Sequence, residues 1–110
     1  MNVKTILLNQ HFTLINNKSN LDSTINKLFA SDLMSHVMGF AETEDCLVTV
    51  LNNINVLGVA SLLDFTGVIF SHGVKVNESI IQKANELEIP LLQTKLTTVE
   101  VINELHKLGE

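Results

Sequence analysis

Three apolar runs, and the two helical segments between them, constrain this chain more than anything else in it. The runs are CLVTVL at 46–51, TGVIF at 66–70 and PLLQT at 90–94. They are separated by NINVLGVASLLDF at 53–65 and NESIIQKANELEI at 77–89. CLVTVL is apolar almost throughout. A strand reads this way when both of its faces are covered, as in a parallel sheet between helical layers. The first separator places Val56, Leu57, Ala60 and Leu63 at helical spacing, and the second places Ile80, Ile81, Ala84 and Leu87. Parallel strands joined through helices cross over in the right-handed sense. The expected fold is therefore α/β, three-layer-like, with a mainly parallel central sheet and helices on both faces.

A chain of 110 residues has room for one core, so a single domain over 1–110 is expected. Hydrophobic residues make up 45% and charged residues 17%, the balance of a packed globule. The formal net charge is −5 and the seven basic residues are scattered. Nucleic acid and anionic membrane surfaces, which need clustered Lys and Arg, are not expected partners. No segment approaches the ~20 apolar residues of a membrane span. The first twenty residues lack an apolar run with a small-residue cleavage site, so the default compartment is the cytoplasm. Cys46 is the single cysteine, which rules out an internal disulfide and a cysteine-based zinc site. At the head of a buried strand it reads as a small inert hydrophobe. His11, His36 and His106 show no metal-ligand spacing, and no metal or cofactor is expected.

Outside this frame the local signals are shorter. Val3, Ile6 and Leu7 suit one or two helical turns. HFTLIN at 11–16 alternates as a short strand would, and TINKLFA at 24–30 reads as another, with Ile25, Leu28 and Phe29 buried. The polar run Asn16, Asn17, Lys18, Ser19, Asn20 between them reads as a turn. Ser31-Asp32 reads as a helix start, with Leu33, Met34, Val37 and Met38 on the core stripe and Gly39 as the left-handed stop. His36 stands four residues after Asp32, the spacing of a helical side-chain pair. Gly58, inside a predicted helix, costs up to ~1 kcal/mol relative to Ala, which a close approach to the sheet would explain. Asn53 and Asn77 are candidate caps. Pro90 forbids further helix. Thr97 and Glu100 have capping-box spacing before a last helix carrying Ile102, Leu105 and Leu108.

In such a sheet the parallel strands end along one edge, where α/β proteins bind ligands. The candidate ligand-binding residues there are Asn52 and Asn53 after the first apolar run, Ser71, His72 and Gly73 after the second, and Thr94 and Lys95 after the third. Asn52 and Asn53 also fit a turn and a helix cap, and Lys95 also fits a solvated surface lysine. For His72 the plainest role is a loop histidine bonded to backbone or water. A ligand hydrogen bond comes next, and general acid–base work last, because no recognisable motif sets a carboxylate or nucleophile beside it. No catalytic residue is assigned. Glycines at 39, 58, 67, 73 and 109 form neither a phosphate-binding loop nor a dinucleotide fingerprint, and there is no G-x-S-x-G elbow.

The runs SDLMSHVMGF, CLVTVLNNINVLGVASLLDFTGVIFSHG and ESIIQKANELEIPLLQTKLTTVEVINEL together resemble the small stand-alone DRTGG-type domains. These are similar to the N-terminal domain of HPr kinase/phosphorylase. The DRTGG string itself is absent, and His36 stands where the family's helix usually carries a second Asp. The resemblance implies a bacterial α/β regulatory or ligand-sensing module, often oligomeric. It does not imply kinase activity, since the family's nucleotide-binding loop belongs to a separate domain. The expected function is a non-catalytic regulatory domain. It would bind a small, anionic or nucleotide-like ligand, or a partner protein, at the sheet edge. The alternative is a structural subunit acting through homo-oligomerisation or a protein partner. An enzyme using His72 is the third.

Overall fold

The sheet uses only the centre of each apolar run. In the computed structural model, which describes residues 1–17 and 20–109, β3 covers Cys46–Thr49 and β4 covers Gly67–Phe70, both buried at every position. β5 is Leu91–Gln93. Two further strands flank them. β2 (Leu28–Ala30) pairs parallel with β3, Leu28 opposite Cys46. β1 (Thr13–Leu14) pairs antiparallel with β5, Thr13 opposite Gln93. Among the described residues this gives five strands in the order β1-β5-β4-β3-β2, all parallel except β1.

The helices are α1 (Val3–Ile6), α2 (Met34–Phe40), α3 (Asn55–Leu62), α4 (Glu78–Leu87) and α5 (Thr98–Gly109). Strands β2 to β5 lie side by side in chain order, so each crossover steps the same way across the sheet. Right-handed crossovers then put α2, α3 and α4 on one face. The strand period of two divides the core accordingly. Leu47, Val68, Phe70 and Leu91 pack with Val37, Leu57, Ala60, Ile80 and Ala84 of those three helices. Cys46, Val48, Ile69 and Leu92 point the other way, toward Val3, Ile6, Val101 and Leu105 of α1 and α5. This is the three-layer architecture that the apolar runs predict. Cys46 sits inside the second layer, where burial pushes its thiol up to about 12 and keeps it protonated.

Several local expectations hold. Asn77 accepts a bond from Ile80 N–H at the start of α4. The capping box closes in both directions: Glu100 N–H donates to Thr97 Oγ1, and Thr97 N–H donates to Glu100 Oε1. The Thr97 N–H, and after it the Thr97 hydroxyl, bonds the charged form and holds the Glu100 carboxyl below its ordinary value. Others do not hold. α2 begins at Met34, with Leu33 before it and no side-chain cap. Ser31 Oγ accepts only the Leu33 N–H. The Asp32 carboxylate instead accepts from Thr49 Oγ1 at 2.7 Å and Val50 N–H at 2.8 Å, tying the loop to the end of β3. His36 accordingly stacks on Phe40, with ring centroids 4.6 Å apart, instead of pairing with Asp32. Gly39 is not a left-handed stop; the helix runs on to Phe40 and leaves through extended Ala41. Met38 is half exposed, Leu28 and Phe29 are only partly buried, and Leu108 is exposed. Lys18 and Ser19 of the predicted turn lie outside the described residues.

The turns entering the parallel strands share one device. Glu44, Asp64 and Glu88 precede β3, β4 and β5 and all adopt positive φ, at 68°, 56° and 57°. Glu88 is the left-handed cap of α4, a position that favours glycine. Glu88→Gly should raise the unfolding free energy by about 0.5–1 kcal/mol, the left-handed penalty less the extra chain entropy of glycine. Urea titration should show a higher midpoint at unchanged slope.

Candidate functional site

β4 and β5 are neighbours, yet their following loops part company. The chain leaves β4 toward α4 on one face and leaves β5 toward α5 on the other. Adjacent parallel strands whose loops diverge in this way open a crevice at the carboxyl edge of the sheet.

The walls of this crevice are stitched together by hydrogen bonds. His72 and Gly73 take consecutive left-handed conformations, φ 60° and 65°. This turns the His72 N–H onto Leu96 O at 2.8 Å and the Gly73 N–H onto Thr94 O at 2.9 Å. Gly73 is favoured by its φ alone, since an added Cβ would meet Lys95 Cγ at 3.8 Å, an ordinary contact. Buried Ser71 shares a 2.9 Å hydroxyl bond with Thr98. His72 Nε2 accepts the Thr98 N–H at 3.0 Å, so the imidazole caps the first turn of α5. That bond needs the Nε2 lone pair, which leaves the ring proton on Nδ1. Thr94 Oγ1 accepts from Leu96 N–H at 3.2 Å.

Beside these stitches lies a cavity of about 360 Å³, lined by Gln10, His11, Thr13, Gly73, Gln93, Thr94 and Lys95. Gly73, Thr94 and Lys95 are thus brought together from the residues anticipated in sequence. Ser71 and His72 stand behind them as supports for α5. Asn52 and Asn53 lie apart from this cavity. Asn52 donates to Lys75 O at 2.7 Å and fastens the β4–α4 loop, while Asn53 accepts the Asn55 N–H at 2.7 Å. Gln10, His11 and Thr13 were missed. They reach the site only because β1 docks beside β5, a pairing between Thr13 and Gln93 that no local pattern announces. Gln93 donates to Val74 O at 2.7 Å, closing the floor toward the β4–α4 loop.

One cation stands in this lining, and the Glu100 carboxylate lies within electrostatic reach of His11. Lys95 lines the cavity and makes no ion pair among the described residues, and His11 lies on the same wall. The N-terminus of α5 is not open to a phosphate, because its Thr97 and Thr98 amides are bound by Glu100 and His72. A ligand here would meet side chains rather than a helix end. The opposite edge of the sheet has a contrasting hollow of about 260 Å³ whose lining includes Glu44, Asp64 and Glu88. Like charge disfavours anions there.

The crevice belongs to a recognisable whole. The DRTGG domain family matches residues 7–108, nearly the full length. The chain belongs to the DRTGG domain family. No curated protein matches it. Among solved structures, this DRTGG domain superposes on the regulatory region of Clostridium perfringens pyrophosphatase. That structure contains CBS and DRTGG domains complexed with the activator diadenosine tetraphosphate. The TM-score is 0.77 at 14% identity, over 92% of this chain and 44% of that one. The present chain therefore spans less than half of that neighbour, and the likeness is one of fold. Among the described residues of the DRTGG domain, no helix is long and apolar enough to cross a membrane.

Proposed function

We propose that this chain is a non-catalytic regulatory domain that binds a small anionic, nucleotide-like ligand between the β5–α5 loop and the segment entering β1. The observation that carries this reading is the cavity at the diverging loops, in which Lys95 is a cation without a carboxylate partner among the described residues. Its size, about 360 Å³, falls at the lower end of small-molecule sites. The pyrophosphatase neighbour supports the class of ligand, since its regulatory region holds a nucleotide activator. That region also contains CBS domains, so the ligand's place within it is not carried over. A catalytic role for His72 is disfavoured because its Nε2 lone pair is engaged by the Thr98 N–H.

Isothermal titration with diadenosine tetraphosphate, ATP, AMP and inorganic phosphate tests the proposal. At least one should bind, and Lys95→Ala should weaken it roughly tenfold or more, the loss expected for one charge-assisted contact. Chemical-shift changes should centre on Gln10, Thr13, Gly73 and Thr94. Binding that is indifferent to Lys95→Ala, or no binding by any of the four, would sink the reading.

A further inference from the structure

Gln93 ends β5 between two partners. It is registered with Thr13 of β1 on one side and with Phe70 of β4 on the other. The strand period puts its side chain on the face of Leu91 and Phe70, which pack in the α2–α4 layer. There it meets the β4–α4 loop, and its Nε2 donates to Val74 O at 2.7 Å. A carbonyl oxygen can only accept, so this contact decides which way round the amide stands. The NH2 end is fixed on Val74, and the Oε1 end is turned away from it.

The two ends of this amide are unequally used. Asn16, farther along the same ladder, is buried and spends both ends of its own amide, on Ile89 O and the Leu91 N–H. Gln93 spends one. Its Oε1 accepts no hydrogen bond from any described residue, and the side chain is half-buried in the lining of the cavity. The groups nearest along the chain donate. Lys95 offers only N–H donors, and Thr94 Oγ1 already accepts the Leu96 N–H, which leaves its O–H to give. Gln10, His11 and Thr13 are exposed, and no hydrogen bond to a described residue orients their side chains. Among the described residues of the lining, Gln93 Oε1 is thus the unspent side-chain acceptor that is held in place.

We propose that Gln93 sets the specificity of this cavity. Its Oε1 accepts a hydrogen bond from an N–H group of the ligand, so the preferred anions carry an amino or amide group besides the charge that meets Lys95. The proposal rests on the ligand reading above and adds what that ligand must present. Discrimination comes from the anchor on Val74. A free glutamine can turn its amide over and donate to a ligand oxygen instead. Gln93 cannot do so without setting its oxygen against the Val74 carbonyl. A ligand with no N–H at this point desolvates Oε1 and returns nothing, and one with an oxygen there is repelled. An aminopurine nucleotide meets the requirement, and the same nucleotide without its amine does not.

Isothermal titration of the full chain compares AMP with purine riboside monophosphate, which lacks only the exocyclic amino group. The wild type should bind AMP about tenfold more tightly, the worth of one well-made hydrogen bond. Gln93→Met keeps the length of the side chain and removes both ends of the amide. It frees the β4–α4 loop and so weakens both nucleotides, but the preference for AMP should vanish. A residue that only fixed the loop would lower both affinities and leave the preference intact. Should Gln93→Met fail to fold, the side-chain carbonyl carbon resonance of Gln93 in the wild type decides. It should move on adding AMP and stay in place with the nucleotide that lacks the amine. Equal binding of the two nucleotides overturns the proposal, and if Lys95→Ala still weakens both, the ligand reading stands without it. A preference that survives Gln93→Met, or a carbonyl resonance indifferent to AMP, overturns it by placing the amine elsewhere. So does a wild type that does not bind AMP, and the ligand reading falls with it when ATP, diadenosine tetraphosphate and inorganic phosphate also fail.

Discussion

Asn16→Ala should cost about 4 kcal/mol of unfolding free energy, a large effect for a polar residue in what reads as a turn. The reason is that Asn16 is buried and its amide acts as a substitute strand. Its Nδ2 donates to Ile89 O at 2.8 Å, and its Oδ1 accepts the Leu91 N–H at 2.8 Å. Beside it, Ile15 N–H donates to Leu91 O at 2.9 Å. The side chain thus extends the β1–β5 ladder one step beyond the backbone. Alanine would leave a buried donor and a buried acceptor on the β5 side, each costing about 1–3 kcal/mol. Asn16→Asp is a sharper probe. It keeps the shape and the acceptor but sets a carboxylate against Ile89 O, so it should be no milder than alanine. Chemical denaturation of both variants measures this. A loss below about 1 kcal/mol for Asn16→Ala would show that water replaces the amide at this site.

Asp45→Ala should cost about 3 kcal/mol, through a different mechanism. The Asp45 side chain is fully buried at the entrance to β3. Its oxygens accept from Asn26 Nδ2 at 2.9 Å, from the Glu42 N–H at 2.8 Å and from Lys27 Nζ at 2.8 Å. Lys27 also reaches Glu42 at 2.6 Å. The carboxylate therefore gathers the segment before β2 and the turn before β3 onto one point. Replacing it removes the common acceptor of three part-buried bonds and leaves a void at a fully buried position, whereas Glu42→Ala, at an exposed site, should cost under about 1 kcal/mol. Lys27 supplies a pH signature. Its hydrogen bond to Asp45, and then that to Glu42, raise its pKa above the ordinary lysine value. A raised folded-state pKa stabilises fully below the unfolded value, and the contribution disappears as pH rises through the folded one. The wild type should therefore lose stability on the alkaline side, and Asp45→Ala should lose less there. Equal alkaline slopes would exclude this linkage.

What could be read from the sequence was whatever is decided locally. Asn77, Pro90 and the Thr97–Glu100 pair act within a few residues of themselves, and the structure uses each as its chemistry suggests. The buried runs at β3, β4 and β5 were legible because a strand covered on both faces has few alternatives. Asp32 shows where this grammar fails. Beside Ser31 it has the form of a helix start, but Thr49 and Val50 offer its carboxylate two donors seventeen and eighteen residues away. Asn16 fails in the same direction, as a turn-forming residue recruited by a strand far along the chain. The candidate site divides by the same rule. Gly73, Thr94 and Lys95 follow strands and could be placed by topology, whereas Gln10, His11 and Thr13 depend on how β1 docks. Gly58 was legible as an anomaly, but only the structure shows that it faces outward.

The place of β1 has a consequence for how the chain is made. Strands β2 to β5 join the sheet in the order in which a ribosome delivers them, each beside its predecessor, so this part can grow as it emerges. Residues 3–16 cannot follow that schedule. Asn16 waits for partners 73 and 75 positions later, and Val3 and Ile6 pack in the layer that contains Val101 and Leu105. Until those residues appear, an apolar segment made early has no place to dock, and during that interval the nascent chain is most open to chaperones and to misassociation.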